Sequence, residues 1–247
     1  MSSTLTTTGF DQDAFEAFLA SRDEPQWLTE RRQAAWEQFQ TLEMPSVRDE
    51  EWMRTDIRLF KLSDYGLASE GPETAARTAL LGEGVELGGH SVTIDSHSTD
   101  CHLEKKWADK GVLFGNLARL LAEHSEKLRP SFEKQLVNPG KDKFSALNAA
   151  VWSGGSLLYV PKGVVVDEPL HGLSVLTDGA SDLNRTLVVL EEGAEATLLA
   201  ETVSTEDDAK GLHCGTIELI VGPNAHLRYV NLQNWSDKVW HFAHQMA

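Results

Sequence analysis

Hydrophobic positions recur with helical spacing in the first part of the chain and with strand spacing in the last. Ala14, Phe15, Phe18 and Leu19 share one face of a short helix that Asp11 is placed to cap. Asp23-Glu24-Pro25 predicts a second helix start, and Leu28, Ala35, Phe39 and Leu42 form its apolar stripe. Arg31, Arg32, Glu37 and Gln38 fall on the polar side of that helix and are expected to be mostly solvated, and Pro45 ends it. A polar segment from Ser46 to Asp64 embeds Trp52, Ile57, Leu59 and Phe60, and Ala68 to Ala76 reads as a loop. Residues 1–10 read as a frayed tail.

Strand signals begin at Val85 and Leu87, then Val92 and Ile94. Leu117, Leu120, Leu121, His124 and Leu128 return to helical spacing, Pro130 marks the start of another short helical piece, and Lys143 to Val151 predicts one more helix. Beyond Trp152 short strands are predicted at 156–160, 164–166, 173–177, 186–190, 196–200, 216–221 and 226–230, separated by Gly, Pro, Asn and Asp. Three regions follow: 1–80 helical, 81–151 mixed, and 152–247 strands.

Within the strand region one turn recurs. It reads Tyr159-Val-Pro-Lys-Gly163, Leu190-Glu-Glu-Gly193 and Val221-Gly-Pro-Asn224, so the aligned residues are 30 and 31 positions apart. Gly and Asn are the types that tolerate positive φ. A meander has no such long period, whereas stacked coils do. The expected fold is therefore mainly β with α: an N-terminal helical region followed by a right-handed parallel β-helix. The final run, Val239 to Ala247, reads as a strand in progress, and we expect an incomplete chain or one completed by a partner.

A net charge of −16 over 247 residues argues against nucleic acid and anionic membranes as partners. Two cysteines, Cys101 and Cys214, give no disulfide framework and point to a reducing, cytoplasmic compartment. The N-terminus has no signal-peptide pattern, and no run approaches the ~18 apolar residues that span a bilayer.

His90, Asp95, His97, Asp100, Cys101 and His102 crowd together, but their spacings fit no standard metal site, and they read as polar residues on a surface loop. The coil period places His213 over His244 and Asp182 one coil earlier, about 4.8 Å apart. With Cys214 beside it, that ladder is the candidate site for a metal or a carried sulfur atom. Neighbouring residues of a strand face opposite ways, so only one of His213 and Cys214 can point outward. Glu191-Glu192 and Glu206-Asp207-Asp208 are adjacent acids in turns, not a pair held across a cleft. No catalytic or cofactor-binding residue is assigned, and there is no P-loop, GxSxG or GxGxxG.

Several longer motifs, in order, resemble the SufB/SufD family of iron–sulfur cluster assembly proteins. They are Glu50-Glu-Trp-Met-Arg-Thr-Asp56, Gly111-Val-Leu-Phe114, Asp142-Lys-Phe-Ser-Ala-Leu-Asn-Ala-Ala-Val-Trp-Ser-Gly-Gly155, Asn184-Arg-Thr-Leu-Val-Val-Leu-Glu-Glu-Gly-Ala194 and Ile217 to Trp235. Where SufB carries a Glu-Gly-Cys element, this chain reads Leu199-Ala-Glu201-Thr-Val, which is closer to SufD. The resemblance implies a scaffold subunit, not an enzyme, with a SufB-like subunit and a SufC-like ATPase as partners. It implies no firmly bound cofactor, only an iron–sulfur cluster held transiently in the full complex. The alternatives to be distinguished are a β-helix carbohydrate-active enzyme and a cupin-like metal-binding protein built on the early histidines.

Overall fold

The computed structural model describes residues 9–67 and 79–247; the expected loop at Ala68 to Ala76 and most of the expected frayed tail lie outside them. The chain is mixed α/β, built on two largely parallel sheets with helices against one of them. Helices α1 (Gln12–Ala20) and α2 (Gln26–Thr41) start as their sequences dictate. Asp11 accepts the Ala14 amide at 2.8 Å, and Pro25 precedes the first turn of α2. Two hairpin strands follow, β1 (Gly89–Ile94) and β2 (His97–Leu103), then α3 (Lys105–Ala108), β3 (Leu113–Asn116), α4 (Leu117–Glu123), α5 (Ser125–Phe132) and α6 (Lys143–Val151). The remainder is β4 (Ser156–Val160), β5 (Leu170–Leu176), β6 (Ala180–Asp182), β7 (Arg185–Leu190), β8 (Glu195–Ser204), β9 (Gly211–Val221), β10 (His226–Asn234) and β11 (Val239–Met246).

From β4 onward the chain passes back and forth between the sheets. One sheet has the order β10-β8-β5-β1-β2, and the other β11-β9-β7-β4-β3 with β6 beside β9. All pairs are parallel except β1–β2 and β3–β4. The recurring turn is where the spacing put it: Gly163, Gly193 and Asn224 have φ of 70°, 68° and 56°. These turns stack directly, since Gly163 N donates to Glu192 O and Gly193 N to Pro223 O, each at 2.9 Å.

The space between the sheets is apolar near these turns, where Leu158, Val160, Val188, Leu190, Ala194 and Leu198 meet. Further along it is polar. The outer face of the six-stranded sheet is covered twice: Leu157, Leu187 and Val189 lie under α4 and α5, and Leu212, Cys214 and Phe242 under α1, α2 and α6. Among the described residues no helix is long and apolar enough to cross a membrane.

Several expectations are corrected. Arg32 is not solvated but fully buried: its guanidinium pairs with Glu24, donates to the carbonyls of Ala150 and Trp152, and lies over the Trp152 ring. Leu59 is 85% exposed, while Ile57 and Phe60 on either side are buried. Val85 and Leu87 precede β1 without joining it, and 164–166 makes only a bridge, Val165 to Glu195. Pro130 sits inside α5; the helix break falls at His124, whose backbone (φ −124°, ψ 36°) is non-helical. The early histidines lie on strands, not a loop. Their hairpin turns at Asp95-Ser96, both at positive φ, and β2 was unreadable as a strand because it presents one polar face to solvent and has almost no apolar alternation.

Candidate functional site

The polar part of the inter-sheet space is organised by Asp182. Strand β6 is only three residues long, but its register sets Asp182 directly beside His213 of β9. The carboxylate, fully buried, receives Ser96 Oγ at 2.8 Å and Ser174 Oγ at 2.7 Å, and lies 2.8 Å from His213 Nδ1. Burial pushes its pKa up, but the imidazole and the two hydroxyls outweigh that and hold it below the usual carboxylate range.

The His213 ring stacks on His241 of β11 with centroids 4.8 Å apart and planes 11° from parallel, and Trp235 packs against both. Trp235 Nε1 can only donate, and it lies 3.0 Å from His241 Nδ1. That nitrogen is therefore unprotonated. Burial, reinforced by His213, accordingly lowers the His241 pKa to about 4. His213, His241 and Ser174 line a small cavity of about 40 Å³ shared with Asn184, Thr202, Asn231 and Gln233. The cluster ties β6, β9 and β11 together through side-chain hydrogen bonds and ring stacking.

The three candidate residues do not converge. His213 stacks on His241, not His244, because the passage from β10 to β11 is three residues shorter than the one before it: Gly211 pairs with Ala180 but also with Val239. His244 pairs instead with Thr216, and its Nε2 lies 3.0 Å from Asp142 Oδ2, bracing the residue that caps α6. Cys214 faces the other way from His213, as alternation requires. It is buried in the same apolar cluster as Phe144 and Phe242, with Sγ 3.4 Å from the Phe144 carbonyl, and burial drives its pKa up.

The early cluster is likewise dispersed. His90 pairs with Asp100 at 2.8 Å and His102 with Glu104 at 3.3 Å, both at the surface. His97 Nδ1 lies 2.9 Å from the Asp95 carbonyl. The Asp95 carboxylate accepts from Thr177, and Cys101 Sγ lies 3.7 Å from the Phe114 carbonyl. Among the described residues no group of three or more His, Cys, Asp and Glu is arranged to hold a metal ion.

Two further residues, His241 and Glu201, take part without a local sequence signal. His241 could have been found only from the 28-residue offset of its coil. Glu201, on β8, is buried and accepts from the amides of Leu80 and Leu81, with His171 Nε2 at 3.2 Å. It ties the segment before β1 to the five-stranded sheet.

Two family models match in succession, the SufBD protein N-terminal region over residues 13–171 and the SUF system FeS cluster assembly SufBD core domain over 174–247. Among individual relatives, the iron-sulfur cluster assembly SufBD family protein of Staphylococcus epidermidis is 34% identical over 230 residues, 89% of this chain and 49% of its own length. That of Staphylococcus haemolyticus is 31% identical over 243 residues, 94% of this chain and 52% of its own length. That of Staphylococcus aureus is 32% identical over 230 residues. The chain thus spans about half the length of the curated relatives it matches. With both family models covering nearly all of it, the chain belongs to the SufBD family of the SUF iron–sulfur cluster assembly system.

Proposed function

We propose that this chain serves as a SufD-type scaffold subunit of the cytoplasmic SUF machinery, working with a SufB-type subunit and a SufC-type ATPase. It is not itself an enzyme, holds no cofactor firmly, and meets the iron–sulfur cluster only transiently in the full complex. Its two sheets are wound as a right-handed parallel β-helix. The observation that carries the reading is the pair of successive family matches, laid over strands that alternate between two parallel sheets.

Two features support the SufD assignment and the scaffold role. Glu201 stands in the element where SufB carries its cysteine, and it is a buried carboxylate binding backbone amides, with no thiol chemistry. The polar interior is taken up by fixed hydrogen bonds around Asp182, as suits a rigid support. Co-expression of the full-length gene product with the SufB- and SufC-type proteins of the same organism tests this. Co-purification of all three is expected; separate elution under conditions where each is folded overturns it.

A further inference from the structure

A cleft of about 160 Å³ lies outside the six-stranded sheet, between α2 and the segment that follows α5. This size is close to the ~150 Å³ of an apolar cavity that holds a benzene ring. Leu28, Phe132 and Trp152 supply apolar walls, while Arg31, Gln135 and Arg185 supply the polar groups.

The two guanidiniums are not equivalent. Arg185 is 3% exposed, its cation lies over the Phe132 ring, and its Nη2 donates to Glu218 Oε2 at 2.6 Å. Its Nε has no hydrogen-bond partner among the described residues. Glu218 does not neutralise a second cation, because its other oxygen accepts the Val137 amide at 3.0 Å. Arg31 meets the Gln135 side chain and makes no ion pair with a described carboxylate; nearby Glu133 is engaged by Arg129 at 2.9 Å. The cleft therefore carries an excess positive charge and an unused buried donor, in a chain whose net charge is −16. A guanidinium is suited to planar, charge-assisted recognition of carboxylate or phosphate.

We propose that this cleft binds a small organic oxyanion, a carboxylate or phosphate monoester carried on an apolar body. Arg31 and the Arg185 Nε hold the anion, and Leu28, Phe132 and Trp152 hold the apolar part.

Calorimetric titration of the full-length protein with benzoate, phenyl phosphate, inorganic phosphate and neutral benzyl alcohol tests it. Saturable binding is expected for benzoate or phenyl phosphate, and which of the two binds tighter separates carboxylate from phosphate. Benzyl alcohol should bind at least about tenfold more weakly, as should phenyl phosphate or benzoate to the Arg31→Ala protein, the loss of one charge-assisted contact. Arg31→Ala leaves the Arg185–Glu218 pair intact, and Arg185→Lys, which keeps the charge but removes Nε, should weaken binding similarly. The proposal is overturned if neither aromatic anion saturates, if benzyl alcohol binds as well, or if folded Arg31→Ala protein binds unchanged. Equal affinity for inorganic and phenyl phosphate overturns the part assigned to the apolar walls.

Discussion

His213 Nδ1 lies 2.8 Å from Asp182 Oδ2, although the two residues are 31 positions apart in sequence. Two adjacent parallel strands, β6 and β9, bring them side by side, and both are buried. The pair shows how the coil spacing of this chain becomes a hydrogen-bonded interior.

That interior makes the fold sensitive to acid. Burial lowers the pKa of His241 from 6.5 to about 4 and also depresses that of His171. The unfolded chain then takes up protons that the folded chain refuses, so stability is full above about pH 6.5 and falls as pH drops toward 4. Asp142 and Asp182, whose folded pKa values are depressed, add a further loss below about pH 4. Urea midpoints measured between pH 8 and 3.5 should decline through this window. His241→Gln, which retains an acceptor for Trp235, should flatten the decline between pH 6.5 and 4 by on the order of 2 kcal/mol. An unchanged slope would show that His241 does not titrate this way.

The two thiols should be sluggish toward reagents. Cys214 is 2% exposed and Cys101 half-buried, and burial raises the pKa of both. Titration with an aromatic disulfide at pH 8 should label Cys101 slowly and Cys214 only after unfolding. Fast labelling of Cys214 in the native protein would contradict its burial in the cluster that holds Phe144 and Phe242.

Arg32 should be one of the most sensitive positions in the helical layer. Arg32→Ala leaves the Glu24 carboxylate, 4% exposed, without its cation and deprives the Ala150 and Trp152 carbonyls of a donor. The expected cost is about 3–5 kcal/mol in denaturant unfolding. Arg32→Lys should recover only part of it, because an ammonium cannot reproduce the fork to Glu24.

At the stacked turns, conformation rather than space is limiting. A Cβ on Gly193 would meet Gly163 Cα at an ordinary 3.9 Å, yet φ is +68°. Gly193→Ala should cost about 1–2 kcal/mol, whereas Asn224→Gly should change stability by no more than about 0.5 kcal/mol. Thermal or chemical unfolding distinguishes the two; equal effects would argue against the left-handed conformation at these positions.

Much of this fold was legible because local chemistry fixes it. Asp11 and Pro25 announce helix starts, and Gly163, Gly193 and Asn224 announce turns. What the sequence hid depends on distant partners. Arg32 looks like a surface residue until Trp152 and Glu24 enclose it. The β1–β2 turn is made by Asp95 and Ser96 at positive φ with no glycine, and β2 has a solvent face. A constant period sets His213 over His244, but a three-residue shortening before β11 sets it over His241, which only the register reveals. The family resemblance was readable from ordered motifs, but the cleft at Arg31 and Arg185 joins a helix to a strand far along the chain and left no local trace.

The central claim is that this SufBD-family chain acts as a SufD-type scaffold. Native mass spectrometry of the full-length protein mixed with purified SufB- and SufC-type subunits tests it most directly. A stable complex containing all three, lost when this protein is omitted, is the predicted result. SufB- and SufC-type subunits assembling with each other while this protein remains apart would contradict it.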